Sequence, residues 1–305
     1  MKKNWLSWFV YISVIFLVIT LVRNDYIFIP EQLSYLYFAL SIFLLFSGFI
    51  LQGLSYKILL KKYGYSISAR DSLVAFGITI LSRYVPGKFW IHLGRGGYVN
   101  ERYGYPFGEM VYISLYSQFL GMWNAIFLCL IGLWLTEIEL YLKLLVLALW
   151  LFLSIVIFTR YLHKFAQKVV YKILKKEFSL PTLTFRKNLA AFPVFLIFWA
   201  LYGAAFYFLA LSMNLELKAY AMIYFPLATI IGIAAVFAPG GLGLREASLV
   251  GMLTLGNIST AHATTLTVFS RVWYLAGELF AFALSIILKH RRNKTGNQGD
   301  ANEEL

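Results

Sequence analysis

The chain has 305 residues, of which 60% are hydrophobic and 18% aromatic, with only 13% charged and a mean hydropathy of +0.72. Soluble globular chains carry about a quarter charged residues, so an ordinary water-soluble domain is excluded and a polytopic membrane bundle is expected. The formal net charge of +13 does not read as a nucleic-acid footprint: 22 of the 27 Lys and Arg residues fall in segments assigned to one side of a membrane. That is the positive-inside pattern, and it sets both termini in the cytoplasm. The lone Cys129 excludes an intramolecular disulfide, and the four histidines are scattered, so no metal site is visible.

Lys2 and Lys3 precede an apolar run over 5–22. The run is long for a signal-peptide core and Arg23-Asn24-Asp25 is no small-residue cleavage site, so an uncleaved first span is expected. A span needs about 20 apolar residues, and the pattern predicts spans at 5–22, 33–54, 108–135, 140–159, 190–212 and 263–288. Two regions are left over, 73–97 and 219–256, each interrupted by Pro-Gly. The span at 33–54 runs inward to the basic stretch 55–72, and 108–135 must start inside, so 73–97 begins and ends on the cytoplasmic side. By the same logic 219–256 begins and ends outside. The expected fold class is therefore an all-α polytopic membrane protein. It is a helical bundle with two Pro-Gly-broken re-entrant hairpins in an inverted repeat. The first repeat covers about 33–135 and the second about 190–288. A ten-span chain in which each hairpin arm crosses fully is the alternative.

Arg160, Lys164, Lys168 and Lys172 recur every four positions opposite Leu162, Phe165, Val169 and Ile173. The cytoplasmic linker 160–188 is thus either an interfacial helix with its cationic face on anionic headgroups or a plain basic loop. Residues 1–290 read as one transmembrane domain, and the polar tail 291–305 as an unstructured cytoplasmic end.

The chemistry sits at the two interruptions. The first hairpin and its exit carry Arg83, Lys88, His92, Arg95 and Arg102 against Glu101. A cationic cluster opening to the cytoplasm suits an anionic group, and the planar fork of Arg suits phosphate in particular. Gly87, Gly94, Gly96 and Gly97 would let backbone N–H groups approach such a ligand, beside Pro86. Arg102 reads more simply as a loop charge. The second interruption holds Pro239, Gly240, Gly241, Gly243, Arg245 and Glu246, and the final span carries Arg271 and Glu278. Each charge inside lipid costs about 2.5–3.5 kcal/mol even on insertion scales, so these groups must pair or face water. Arg271 and Glu278 share a helix face two turns apart. The expected pairs are Glu246 with Arg271 and Arg245 with Glu278, acting as a gate or a structural cross-brace. Gly241-Leu242-Gly243 lacks the third glycine of a dinucleotide fingerprint, and Pro86-Gly87-Lys88 lacks the spacing of a P-loop. Asp25 and Glu31 read as solvated loop charge.

Three strings together resemble a known family: Tyr84-Val85-Pro86-Gly87-Lys88 with Gly94-Arg95, then Pro239-Gly240-Gly241-Leu242-Gly243-Leu244-Arg245-Glu246-Ala247, then Arg271. They are similar to the lysylphosphatidylglycerol synthase transmembrane family, the flippase-type region of bacterial multiple peptide resistance factors and their stand-alone relatives. The resemblance covers nearly the whole chain. It implies lipid handling in a bacterial or archaeal cell membrane, with the Pro-Gly hairpins lining the path. Only 17 residues follow Leu288, so the synthase activity is not carried over.

The reading that results is a flippase for an anionic or aminoacylated phospholipid or another lipid-linked headgroup. Arg83, Lys88 and Arg95 would capture the headgroup, and Arg245, Glu246 and Arg271 would carry or gate it, with Glu278 as gating partner. No cofactor is expected. The expected partners are anionic lipids, with a transferase or a second copy of the chain as further candidates. The rival is a membrane transferase using a polyprenyl-phosphate or phospholipid donor, for which Glu246, Glu278 and Glu109 are the available acids. A non-transporting partner subunit of such an enzyme is the third.

Overall fold

A computed structural model describes residues 33–85, 89–136, 139–159, 168, 188–234 and 243–303, with side chains described as far as His290. The described residues form nine α-helices, two 3-10 turns and no strand. They are α1 (Tyr35–Lys62), α2 (Ala69–Ile80), a 3-10 turn (Leu81–Tyr84), α3 (Trp90–Tyr103), α4 (Phe107–Trp134) and α5 (Leu140–Phe158). After the linker come α6 (Phe192–Ser212), a second 3-10 turn (Ala219–Ile223), α7 (Tyr224–Ala234), α8 (Leu244–Leu255) and α9 (Thr260–Glu303). Five of them, α1, α4, α5, α6 and the 31 residues Thr260–His290 of α9, are long and apolar enough to cross a membrane. They coincide with five of the predicted spans. The expected span at 5–22 and nearly all of the basic linker lie outside the described residues. The backbone of α9 continues as far as Glu303, through the tail whose composition predicts no fixed structure.

The leftover regions form short helices joined at their ends. At the start of α2 the Ser68 side chain accepts from the Asp71 N–H at 2.9 Å, which caps the helix. The buried Asp71 carboxylate in turn accepts from Tyr98 at 2.9 Å and Tyr103 at 2.5 Å, both on α3. The Tyr103 hydroxyl also receives the Ser68 N–H at 2.9 Å, and Tyr105 donates to the Ser66 carbonyl at 3.0 Å. Tyr65 donates to Glu109 at the head of α4, and its partial burial, followed by this carboxylate, pushes the phenol up to about 12. The loop leading into α2 and the loop leaving α3 are thus stitched together at one end of the bundle. Gly104 supplies the left-handed turn, φ +70°, that stops α3.

The helix contacts fall into two matching sets. In the first, α1 touches α2, α2 touches α3 and α3 touches α4. In the second, α6 touches α7, α7 touches α8 and α8 touches α9. Across the sets, α2 packs on α9 as α7 packs on α4, and α1 packs on α9 as α6 packs on α4. The two leading spans, α1 and α6, lie against each other, with the Ser41 hydroxyl donating to the Ala205 carbonyl at 2.8 Å. Close approach is bought with small residues: a Cβ on Gly77 of α2 would lie 2.5 Å from the Ser285 Cβ on α9. α5 stands apart, packed mainly on α4 through Trp123 and Trp150, whose rings stack at 5.3 Å. Its remaining surface, including Leu140, Leu145 and Phe152, is exposed apolar side chain.

Candidate functional site

The two interrupted regions meet at one cavity of about 540 Å³. Arg83 and Tyr84 reach it from the 3-10 turn after α2, His92 and Arg95 from the first turns of α3, and Arg245 from the first turn of α8. Arg271, Tyr274 and Glu278 reach it from α9, on the one helix face that positions three and seven apart share. The long helices add the polar groups of Gln52, Ser117 and Gln118, and much of the remaining wall is apolar, including Phe195, Phe198 and Trp199. The N-terminal turns of both α3 and α8 contribute, and helix N-termini favour anions.

Each arginine is held differently. Arg83 Nη1 is 2.5 Å from Glu278 Oε1, and the Tyr84 hydroxyl donates to Oε2 of the same carboxylate at 2.6 Å. Arg271 Nη1 is 3.1 Å from Glu246 Oε1. The second oxygen of Glu246 accepts the Gly243 N–H at 2.8 Å, fixing the start of α8 where Gly243 has φ +83°. The predicted Glu246–Arg271 pair is therefore present, whereas the predicted Arg245–Glu278 pair is not. Glu278 turns to the first hairpin, because the 3-10 turn brings Arg83 and Tyr84 directly against its helix face. The outcome is that α9 is tied by ion pairs to both interrupted regions, at the 3-10 turn after α2 and at α8.

Arg95 and Arg245 have no described carboxylate partner. The Arg95 guanidinium carbon lies 4.9 Å from the centroid of the Phe76 ring on α2, and that of Arg245 lies 4.9 Å from the Phe225 ring on α7. Arg245 also sits 5.4 Å from the Tyr274 ring, and its Nη2 donates to Ser270 at 3.4 Å. Arg95 is 7% exposed and Arg245 4%, and the Nε of each is buried without a hydrogen-bond partner. The two occupy matching places in the two sets of helix contacts, Arg95 on α3 over a Phe of α2 and Arg245 on α8 over a Phe of α7. His92, also buried, shares a 3.0 Å hydrogen bond between Nδ1 and the Ser114 hydroxyl.

Of the residues predicted for the site, Arg83, Arg95, Arg245, Arg271 and Glu278 line the cavity, while Glu246 is held to it through the ion pair with Arg271 and Gly243 through the hydrogen bond to Glu246. Pro86, Gly87, Lys88, Pro239, Gly240 and Gly241 lie outside the described residues. Arg102 is exposed at the end of α3, and Glu109 is engaged with Tyr65 rather than with the cavity. Sequence reasoning gave no role to Tyr84 and Tyr274, which line the cavity, or to Phe76 and Phe225, whose rings lie under Arg95 and Arg245. The signal for the two phenylalanines was the near-equal spacing of Phe76 to Arg95 and of Phe225 to Arg245.

No curated protein and no solved structure matches the chain. A family model described as the lysylphosphatidylglycerol synthase TM region matches residues 5–280. With this match spanning the helices that build the cavity, the chain is a multi-pass membrane protein that belongs to the lysylphosphatidylglycerol synthase transmembrane family, whose setting is lipid-related.

Proposed function

We propose that the protein carries the headgroup of an anionic lipid between the leaflets of the cell membrane through this cavity, while the acyl chains stay in surrounding lipid. The observation that carries the reading is the convergence of four arginines from both interrupted regions and the final span on one cavity inside an apolar bundle. Arginine inside lipid costs several kcal/mol unless it is paired or hydrated, and such residues mark substrate pathways. A volume of about 540 Å³ falls in the range of small-ligand sites and suits a headgroup rather than a whole lipid.

The helix lengths support re-entrant hairpins. α2 and α8 have 12 residues each, or about 18 Å at 1.5 Å per residue, against about 30 Å of hydrocarbon. The stitched loops before α2 and after α3 support a first hairpin that returns to the side it left. The paired sets of helix contacts support an inverted repeat, with the cytoplasmic placement of both termini resting on the charge asymmetry. In the resulting mechanism Arg95 and Arg245 hold the headgroup at the two hairpins. The Arg83–Glu278 and Arg271–Glu246 pairs fasten α9 to those hairpins and must rearrange as the site opens to either side.

The test is headgroup accessibility of labelled lipids in liposomes holding the purified protein. The panel is phosphatidylglycerol, its lysyl ester, a polyprenyl-phosphate sugar and the two phosphomonoesters phosphatidate and polyprenyl phosphate. Movement of at least one lipid, lost in Arg95→Ala and Arg245→Ala variants that remain folded, is expected. No movement of any of them, or wild-type rates in both folded variants, overturns the transport reading.

A further inference from the structure

We infer that the cavity selects a lipid headgroup bearing a terminal phosphate dianion and rejects the lysylated headgroup that gives the family its name. The inference rests on the transport reading of the same cavity and adds the charge class of the cargo. Its basis is the distribution of countercharge. Glu278 is occupied by Arg83 and Tyr84, and Glu246 by Arg271 and the Gly243 N–H. That leaves no described carboxylate at the cavity to receive an ammonium group.

Arg95 and Arg245 are the complement: two guanidiniums more than nine-tenths buried, lining the cavity, each over a Phe ring and neither in a described ion pair with a carboxylate. Four arginines against Glu278 and Glu246 leave an excess of two positive charges among the described residues of the wall, best neutralised by a ligand with two negative charges. A phosphomonoester meets this, since its second proton leaves near pH 6. The planar fork of a guanidinium suits the oxygens of such a phosphate. Phosphatidylglycerol is a phosphodiester with one negative charge and would leave one arginine unmatched. Its lysyl ester has two ammonium groups against one phosphate and would add positive charge to a positive site. Matching chemistry exists on two kinds of tail, a diacylglycerol (phosphatidate) and a polyprenol (polyprenyl phosphate).

The experiment is a binding titration on the full-length protein in detergent, read by intrinsic tryptophan fluorescence and by the shift in thermal midpoint. The probes are short-chain phosphatidate, short-chain phosphatidylglycerol, its lysyl ester and a short polyprenyl phosphate. At least one phosphomonoester should half-saturate at a concentration tenfold or more below phosphatidylglycerol, with the lysyl ester weaker still. Comparable binding of the two phosphomonoesters assigns recognition to the phosphate, and a preference for one assigns the tail. Both outcomes support the inference. Arg95→Gln and Arg245→Gln should each reduce the preference at least tenfold, and the wild-type panel decides the matter alone where a variant does not fold. Binding of the lysyl ester or of phosphatidylglycerol as tightly as either phosphomonoester overturns the inference. Rapid movement of the lysyl ester in liposomes would overturn it too while leaving transport standing. Tight phosphomonoester binding without movement of any lipid would do the reverse.

Discussion

Replacing Arg83 by Met leaves the carboxylate of Glu278, 1% exposed, with the Tyr84 hydroxyl as its remaining described partner. Truncating one member of a buried pair costs about 3–5 kcal/mol, mostly through the orphaned charge. The Arg83 side chain is 25% exposed, so water already weakens the pair, and Tyr84 continues to donate at 2.6 Å. The expected loss is therefore discounted to about 2–3 kcal/mol. Glu278→Met leaves Arg83 instead, which can turn to water in the cavity, and should cost less, about 1–2 kcal/mol. The double variant Arg83→Met/Glu278→Met removes both charges and should lie within about 1 kcal/mol of wild type. A reversible unfolding titration in mixed micelles on the four proteins closes the cycle and should yield a coupling of about 3–5 kcal/mol if the double variant matches wild type, and no less than about 2 kcal/mol if it loses about 1 kcal/mol. If the single losses simply add in the double variant, the pair carries no coupling energy and the reasoning fails.

Three further outcomes are expected. Gly77→Ala forces a methyl against the Ala281 carbonyl and the Ser285 side chain, and should lower stability by about 1–3 kcal/mol in the same titration, with unchanged stability refuting the close packing of α2 on α9. Cys129 is fully buried and should not react with an impermeant maleimide. In a Cys129→Ala background, Ser66→Cys and Glu101→Cys should label from one side of the membrane and Thr260→Cys from the other. Labelling of Ser66→Cys and Glu101→Cys from opposite sides would sink the re-entrant first hairpin. Glu246→Gln keeps an oxygen for the Gly243 N–H but removes the charge facing Arg271, so the phosphomonoester probes should bind several-fold tighter; weaker binding would show that Glu246 acts through more than charge.

The long helices were legible because their signal is local: some 20 consecutive apolar residues need no knowledge of neighbours. The Arg271–Glu246 pair was legible because a charge in lipid demands a partner and few are on offer. Choosing between Arg83 and Arg245 for Glu278 was not, since the choice depends on a 3-10 turn that swings Arg83 against α9. Gln52, Ser117 and Trp199 line the cavity from within helices whose sequence reads as uniformly apolar. Phe76 and Phe225 likewise look like core residues until a guanidinium is found over each ring.

The pairing of Arg83 with Glu278 has a consequence for how the chain is made. The two residues lie 195 positions apart. At elongation rates of roughly 5–20 residues per second, the arginine waits about 10–40 s for its carboxylate. The first half of the bundle is thus inserted with an uncompensated guanidinium and with the α1 face that α6 will cover still bare. Assembly of the nascent chain is decided only as its last helix leaves the ribosome, and until then the unfinished half is an exposed target for insertion chaperones and membrane proteases.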